Sequence, residues 1–251
     1  MEDIIKKLEQ GIIGIKEKDD YKKFLKKVSL FRKYSFNNTL LIAMQKPDAT
    51  LVASFTSWKK LKRTVNKGEK GIKIIIPFIR SNKETEEKKV VGYSIGHVFD
   101  ISQTSGEELR SIYKSDKQNI KFQDIADKIS ILTNCPIQKE ELDDEIEGMF
   151  KKEENKIIIN SNLPNENSII ALLHETAHNL LHKKNKYETN VQEVQAESIA
   201  YVVGEYLGID LKDNCFKYID GYLGIKGIDE FRDNIELIKD TSEKIIKHLN
   251  M

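Results

Sequence analysis

The most informative segment of the chain reads Ile169-Ile170-Ala171-Leu172-Leu173-His174-Glu175-Thr176-Ala177-His178-Asn179-Leu180-Leu181. It holds no Gly or Pro, so the sequence predicts one continuous buried helix. His174 and His178 lie one turn apart on one face, where their ring nitrogens can converge on a single ion. Glu175 is rotated by about 100° from His174 and can reach a water at the ion without binding it. The pattern alone also fits two histidines packed in a core.

A second helical segment, from Glu193 to Val203, offers the carboxylate that such a metal site needs. Glu193 and Glu197 are four residues apart and share one face, beside small and apolar neighbours. We predict that Glu193 is the third metal ligand and that Glu197 accepts the free ring N–H of a liganding histidine. The reverse assignment of the two carboxylates stays open, and a solvated acidic face is the simpler alternative.

His182 is a further histidine near the pattern, but it is not predicted to bind the same ion. The helix continues through Asn179-Leu180-Leu181, which places His182 roughly 12 Å along the axis from His174. A straight helix cannot bring both rings to one ion, so a structural role or a role at the rim of the pocket is expected.

Composition restricts the class of protein. The 251 residues permit one large or two small domains, and the 39% of hydrophobic residues is enough to form real cores. The sequence has no apolar run of about 18 residues and begins without the apolar core of a secretion signal, so we expect a cytoplasmic protein without a membrane partner. Cys135 and Cys215 lie far apart and are expected to be reduced thiols.

Positive charge is concentrated in the first hundred residues, which carry 22 Lys and Arg against 12 Asp and Glu. Such an imbalance suggests a polyanionic partner. Aromatic side chains lie close to the densest cations, as single-stranded nucleic acid requires for base stacking and phosphate contact. The candidate DNA-binding residues are Trp58, Lys59, Lys60, Lys62, Arg63, Lys67 and Lys70. Alternatively, the lysines are simply solvated and Trp58 lies in the core.

The order of apolar and turn residues gives a coarse prediction of secondary structure. Helices are expected over residues 3–17, 19–31, 37–45, 58–65, 120–134 and 229–249, and strands over 51–55, 72–79, 90–101 and 155–160. Pro77 is expected to end its strand. The strand at 155–160 directly precedes the His-Glu-x-x-His helix, so it is a candidate cleft edge to which an extended peptide could add itself.

Several segments in order resemble the ArdC antirestriction family. They are Tyr34-Ser35-Phe36-Asn37-Asn38-Thr39-Leu40-Leu41-Ile42, Pro47-Asp48-Ala49-Thr50, Trp58-Lys59-Lys60-Leu61, Val65-Asn66-Lys67-Gly68-Glu69-Lys70-Gly71-Ile72 and Val98-Phe99-Asp100-Ile101-Ser102-Gln103-Thr104. The second half, with His174-Glu175-Thr176-Ala177-His178 and Glu193-Val194-Gln195-Ala196-Glu197, resembles that family's zincin-like metallopeptidase domain. One departure is Lys62, where relatives often have Gly, and it adds charge to the basic segment.

The resemblance implies an α+β protein of two domains. Residues 1–110 would form a small α/β domain that binds single-stranded DNA, and residues 111–251 a gluzincin-type peptidase domain. Family members are carried on plasmids, conjugative elements and phages, where they are thought to protect incoming DNA from restriction. In the expected chemistry Zn²⁺ lowers the pKa of a water, and Glu175 takes its proton during attack on a peptide carbonyl.

Two other functions remain open at this point. One is a DNA-binding shield whose zinc site is not catalytic. The other is a regulatory metalloprotease that cleaves a repressor, with the basic half holding it near DNA. The sequence identifies neither the peptide substrate nor a preferred DNA sequence.

Overall fold

The computed structural model describes residues 2–15, 18–81, 88–109, 120–184, 187–209, 211 and 227–251. Within these ranges the helices are α1 (Glu2–Gly14), α2 (Lys18–Leu30), α3 (Phe36–Gln45), α4 (Phe55–Lys60), α5 (Phe122–Thr133), α6 (Asn165–Leu181), α7 (Thr189–Leu207) and α8 (Ile228–Leu249). The strands are β1 (Val52–Ser54), β2 (Arg63–Val65), β3 (Ile72–Ser81), β4 (Lys88–Asp100), β5 (Thr104–Gly106), β6 (Ile137–Glu140), β7 (Gly148–Lys151) and β8 (Lys156–Asn160). Helices and strands are mixed, in line with the predicted α+β class.

The first half is built around a long antiparallel hairpin of β3 and β4, with β1 paired to the end of β4. Side-chain amides of α3 take the place of a further strand along β3. Asn38 exchanges two hydrogen bonds with the backbone of Ile75, and Gln45 does the same at Lys73. Helix α3 therefore covers the outer edge of β3 at Lys73 and Ile75.

Pro77 does not end β3, contrary to the prediction. It pairs with Tyr93, and β3 continues to Ser81. Proline lacks the N–H that a central strand would need, but β3 is an outer strand of its sheet and makes no ladder bonds on its far side.

The predicted helix over residues 58–65 is also wrong in its position. Helix α4 begins at Phe55 because Ser54 caps it, accepting a hydrogen bond from the Ser57 N–H. It ends at Lys60, and Lys62 adopts φ 56°, which turns the chain into β2. Strand β2 pairs with β5 from Arg63 to Val65.

The second half contains a small sheet in the order β6-β8-β7, with β6 parallel and β7 antiparallel to β8. Ile157, Ile158 and Ile159 of β8 are buried, as is usual for a central strand covered on both faces. The predicted strand at 155–160 therefore exists, but it is not the cleft edge. That position belongs to β7, which sequence reasoning missed.

Helix α6 packs against β7 and β8, and α7 packs directly against α6. Gly204 permits the close approach, because a Cβ atom there would lie 2.7 Å from Ile170 Cδ1. Ala196 and Ala200 are also buried on α7. Small residues thus bring the two helices near enough for side chains of both to share one site.

One apolar core joins the two halves of the chain. Buried side chains of α1, α2 and α3 belong to the same cluster as those of α5 to α8. The Tyr21 hydroxyl on α2 lies 2.8 Å from Ser198 Oγ on α7. The predicted boundary at residue 110 falls on residues outside the described ranges, as does Cys215, so the division at 110 stays a prediction. Among the described helices, none is long and apolar enough to cross a membrane.

Candidate metal centre

Three potential ligand atoms meet between α6 and α7. His174 and His178 of α6 direct their Nε2 atoms toward each other at 3.0 Å. The Glu193 carboxylate of α7 lies 3.3 Å from His174 Nε2 and 3.4 Å from His178 Nε2. Within the described part of the chain this is the group of three donors close enough to hold one metal ion.

These separations match a tetrahedral metal site. Ligand atoms bound at about 2.0–2.1 Å and at tetrahedral angles lie roughly 3.3 Å apart. The two ring nitrogens lie 3.0 Å apart, and they approach different oxygens of Glu193: His174 Nε2 lies 3.3 Å from Oε2, and His178 Nε2 lies 3.4 Å from Oε1. Two imidazole nitrogens and one carboxylate oxygen form a donor set typical of catalytic zinc, which keeps a fourth position open. The donor types and their spacing therefore suit a single divalent ion.

Electrostatics at this cluster couple the carboxylate to the two rings. Hydrogen bonds from His174 and His178 hold the pKa of Glu193 far below its usual range. Burial lowers the pKa of His174, but the hydrogen bond to Glu193 and nearby carboxylates outweigh it, so the net shift is upward. The Glu193 carboxylate is thus ionised and available as a ligand.

Glu175 lies beside the ligands without being one of them. Its side chain is 8% exposed, and burial raises its pKa while the neighbouring histidines oppose that shift. Gly148 of β7 makes room for it, since a Cβ atom at residue 148 would lie 3.2 Å from Glu175 Cγ. A carboxylate with a raised pKa in a cleft has the properties of a general base.

The structure brings Glu197 to the same cleft, half-buried, where its charge contributes to the raised pKa of His174. This position agrees with a supporting carboxylate one turn beyond Glu193. Its predicted hydrogen bond to a histidine ring stays a prediction.

His182 is buried behind His178 and does not approach the ligand cluster directly. Its Nδ1 lies 2.9 Å from His178 Nδ1, on the side of that ring away from Glu193. Its Nε2 lies 2.8 Å from Gln195 Oε1. Burial lowers the pKa of His182 to about 4, so the ring is neutral at pH 7. His182 thus lines the inner part of the cleft as a buried residue in contact with His178, which agrees with the structural alternative.

The cluster opens into a cleft of about 750 Å³. Strand β7 forms one wall, and residues of α6 and α7 form the floor and the opposite wall. Carboxylates at the rim include Glu145, Glu147 and Glu166, whereas Lys152 is the basic residue among the described lining. A cleft walled by a free strand edge suits an extended chain, because the strand offers backbone hydrogen bonds to it.

The basic surface of the first half differs from the predicted one at two residues. Trp58 is 0% exposed, and its ring N–H donates to Phe99 O, so it is a core residue and is unable to stack on a base. Arg63 is directed to Thr104 and to the carbonyls of β5, where it holds that strand. The exposed cations of the predicted set are Lys59, Lys60, Lys62, Lys67 and Lys70.

Phe55 is the accessible aromatic side chain next to these lysines. It is 43% exposed, and Lys59 Nζ lies 5.1 Å from the centre of its ring. Lys62 Nζ is paired with Glu107 at 3.0 Å. The basic surface of α4 and the β2–β3 turn is defined by Phe55, Lys59, Lys60, Lys67 and Lys70. The sequence showed Phe55 close to the cations but gave no signal that it, and not Trp58, faces solvent.

Comparison with known proteins relates the first half of the chain to one family and the overall fold to solved structures. Residues 1–123 match the family model described as the N-terminal domain of anti-restriction factor ArdC. An uncharacterized protein of Bacillus anthracis, pXO2-81, is 25% identical over 75% of this chain. The chain spans 40% of the length of that relative.

Two crystal structures of the antirestriction ArdC protein from the R388 plasmid share the fold. The metal-free form has a TM-score of 0.58 at 16% identity, and the Mn(II)-bound form has a TM-score of 0.58 at 15% identity. Each match covers 86% of this chain and 85% of the other. Because each match covers 86% of this chain, the likeness in fold extends beyond residues 1–123 into the second half.

Proposed function

This chain belongs to an ArdC-like family, and from that premise we propose that it is a mobile-element antirestriction protein with a metal-dependent peptidase centre and a surface for single-stranded DNA. The observation that carries the peptidase proposal is the convergence of His174 Nε2, His178 Nε2 and the Glu193 carboxylate beside the separate carboxylate of Glu175.

His174, His178 and Glu193 would hold a divalent ion, with zinc favoured by the two imidazoles and one carboxylate. The ion would supply Lewis acidity, polarising a peptide carbonyl and lowering the pKa of a water in the open position. An ArdC relative is described with Mn(II) bound, which supports a divalent ion in this family.

The remaining chemistry belongs to residues of the chain itself. Glu175 accepts the proton of the attacking water, and its raised pKa then allows it to give that proton to the leaving amine. The free edge of β7 would align the peptide in an extended conformation across the cleft.

The DNA part of the proposal rests on charge and exposure in the first half. The first hundred residues carry 22 basic against 12 acidic residues, and the lysines of α4 and the β2–β3 turn are exposed. Phe55 provides a ring face next to them, and lysines track phosphates without reading bases. Little sequence selectivity is therefore expected.

Hydrolysis of a defined peptide pool tests the peptidase proposal. Zinc-loaded protein is incubated with the pool in the presence and absence of single-stranded DNA, and new termini are identified by mass spectrometry. Glu175→Gln should abolish cleavage and keep the metal, because Glu175 does not bind the ion. Thr176→Val is a matched control, since the Thr176 hydroxyl is buried and bonds only to the Leu172 carbonyl of its own helix.

The outcome also separates the peptidase from a DNA-binding shield. A Glu175→Gln protein that retains metal and single-stranded DNA but loses cleavage supports the peptidase. Identical product patterns for wild type and Glu175→Gln would show that the cleft is not the source of the activity.

A further inference from the structure

We propose that His182, Gln195 and Asn234 act as positioning residues that fix the ring of His178, with its Nδ1 donating to His182 and its Nε2 directed at the metal site. The proposal deepens the metal-centre function and rests on it for its consequence, but the ring state itself exists without a metal. It assigns a role to three residues on three different helices.

A continuous chain of hydrogen bonds leads away from His178. His178 Nδ1 lies 2.9 Å from His182 Nδ1, and His182 Nε2 lies 2.8 Å from Gln195 Oε1. Gln195 Nε2 donates to Asn234 Oδ1, and Asn234 Nδ2 donates to the Glu230 carbonyl at 2.8 Å. The chain thus begins in α6, crosses α7 and ends on the backbone of α8.

The direction of every proton follows from the far end of this chain. A backbone carbonyl only accepts, so the amide nitrogen of Asn234 must face Glu230, and Asn234 Oδ1 must face Gln195. Gln195 therefore donates to Asn234 with its nitrogen and accepts from His182 with its oxygen.

The same reasoning determines which nitrogen of each histidine ring donates a proton to this chain of hydrogen bonds. A neutral imidazole carries one N–H and one lone pair. His182 uses its N–H at Nε2 to reach Gln195, which leaves a lone pair at Nδ1. His178 must then donate from its own Nδ1, which leaves its Nε2 as the nitrogen that can bind a metal ion.

Burial makes this arrangement strict. His182 is 4% exposed, Gln195 is 0% exposed and Asn234 is 6% exposed. An inverted link in such a place would leave two donors or two acceptors facing each other without water, which is unfavourable in a buried site. The carbonyl of Glu230 in α8 thereby selects one tautomer of a ligand in α6.

Loss of the chain should weaken metal binding without removing a ligand. Residues that orient ligating histidines typically contribute a factor of about 10–100 to metal affinity. We expect His182→Phe to weaken Zn²⁺ binding by a factor within that range. Gln195→Met and Asn234→Leu should act in the same direction and more weakly with each step away from His178.

The test measures the protonation of the histidine rings and the affinity for Zn²⁺ separately. Nitrogen-15 NMR of the histidine side chains in metal-free protein identifies which ring nitrogen carries the proton, and competition with a chelator gives the Zn²⁺ affinity. Thermal melting of each metal-free variant excludes unfolding. Thr176→Val, buried on the same helix but outside the chain, is the matched control.

The expected result is His178 protonated at Nδ1 and His182 at Nε2 in the wild type, with mixed His178 tautomers and weaker Zn²⁺ binding in folded Gln195→Met. A His178 ring without a proton at Nδ1, or a His182 ring protonated at Nδ1, in the folded wild type would overturn the proposal, whether or not metal binds. The predicted tautomers in a protein that binds no Zn²⁺ would support the hydrogen-bond chain and overturn the metal-centre function instead.

Discussion

The metal centre and the basic surface of α4 and the β2–β3 turn use charged side chains in opposite ways. The metal centre consists of a small number of polar side chains that are mostly buried. Each occupies a fixed position, as Glu193 does between His174 and His178. At the basic surface lysines such as Lys59 and Lys67 are exposed, and their number matters more than their geometry. Single substitutions should therefore act sharply at the centre and gradually at the surface.

The largest expected effect separates the two carboxylates of α7. Glu193→Ala removes a ligand and should abolish stable Zn²⁺ binding, whereas Glu197→Ala should cost roughly 10–100-fold in affinity because Glu197 acts through its neighbours. Chelator competition measures both, with Glu205→Ala farther along the helix as the control. If Glu197→Ala loses the metal and Glu193→Ala keeps it, Glu197 is the ligand and Glu193 is the supporting carboxylate.

The next effect tests whether Trp58 belongs to the core or to the DNA surface. Because Trp58 is fully buried, Trp58→Ala should destabilise the fold by about 3–5 kcal/mol. Phe55→Ala, next to the same lysines, should leave stability nearly unchanged. Urea unfolding measures the difference, and a Trp58→Ala protein of normal stability that fails to bind DNA would contradict the assignment.

A third effect concerns pH. The pKa of His182 is lowered to about 4, whereas an unfolded histidine titrates near about 6.5. Between these values the unfolded chain binds more protons at this residue than the folded chain does. The stability of the metal-free protein should therefore fall as pH drops from about 6.5 to about 4, with up to about 3 kcal/mol due to His182.

The pH effect is checked by urea unfolding of chelator-treated protein at pH 7 and pH 5. His182→Gln should show a smaller difference between the two pH values than the wild type. His97→Gln is the control, because His97 is exposed on β4. Equal pH dependence in the wild type and His182→Gln would contradict the lowered pKa.

The smallest effects per residue are expected at the basic surface. The full chain should bind single-stranded DNA in preference to duplex, with a salt slope of roughly 0.7 per neutralised phosphate. The combined change of Lys59, Lys60, Lys67 and Lys70 to Gln should flatten that slope. Phe55→Ala should instead weaken binding by about 1–3 kcal/mol with the slope kept, if a base stacks on the ring.

The full chain is the right material for this experiment, because α1 to α3 share their core with α7 and α8. Fluorescence anisotropy over a range of salt concentrations gives the affinity for DNA and the slope of that affinity with salt. Tighter binding to duplex, or an affinity independent of salt, would exclude the proposed surface.

The two regions also differ in how much of them the sequence predicts. Residues 174–178 lie on one continuous helix, so a local period of 3.6 residues is enough to place both histidines on one face. Helix α8 was predicted within one residue at its N-terminus for the same reason. At the basic surface the choice between Phe55 and Trp58 depends on which ring the β4 backbone covers, and no local pattern contains that information.

Strand β7 and the hydrogen-bond chain from His178 to Glu230 could not be predicted from the sequence, for a different reason. Gly148-Met149-Phe150-Lys151 has no clear alternation, and its identity as the cleft wall depends on pairing with β8. Gln195 and Asn234 are 39 residues apart, and their contact requires the packing of α7 against α8. Long-range packing, and not residue type, determines these parts of the site.

Metal analysis of the purified protein tests the central claim most directly. Protein prepared under metal-replete conditions should contain about one zinc ion per chain, because three ligands converge at one place among the described residues. His174→Ala and His178→Ala should contain none, and Glu175→Gln should contain as much as the wild type. A folded wild-type protein without any bound transition metal would contradict the account.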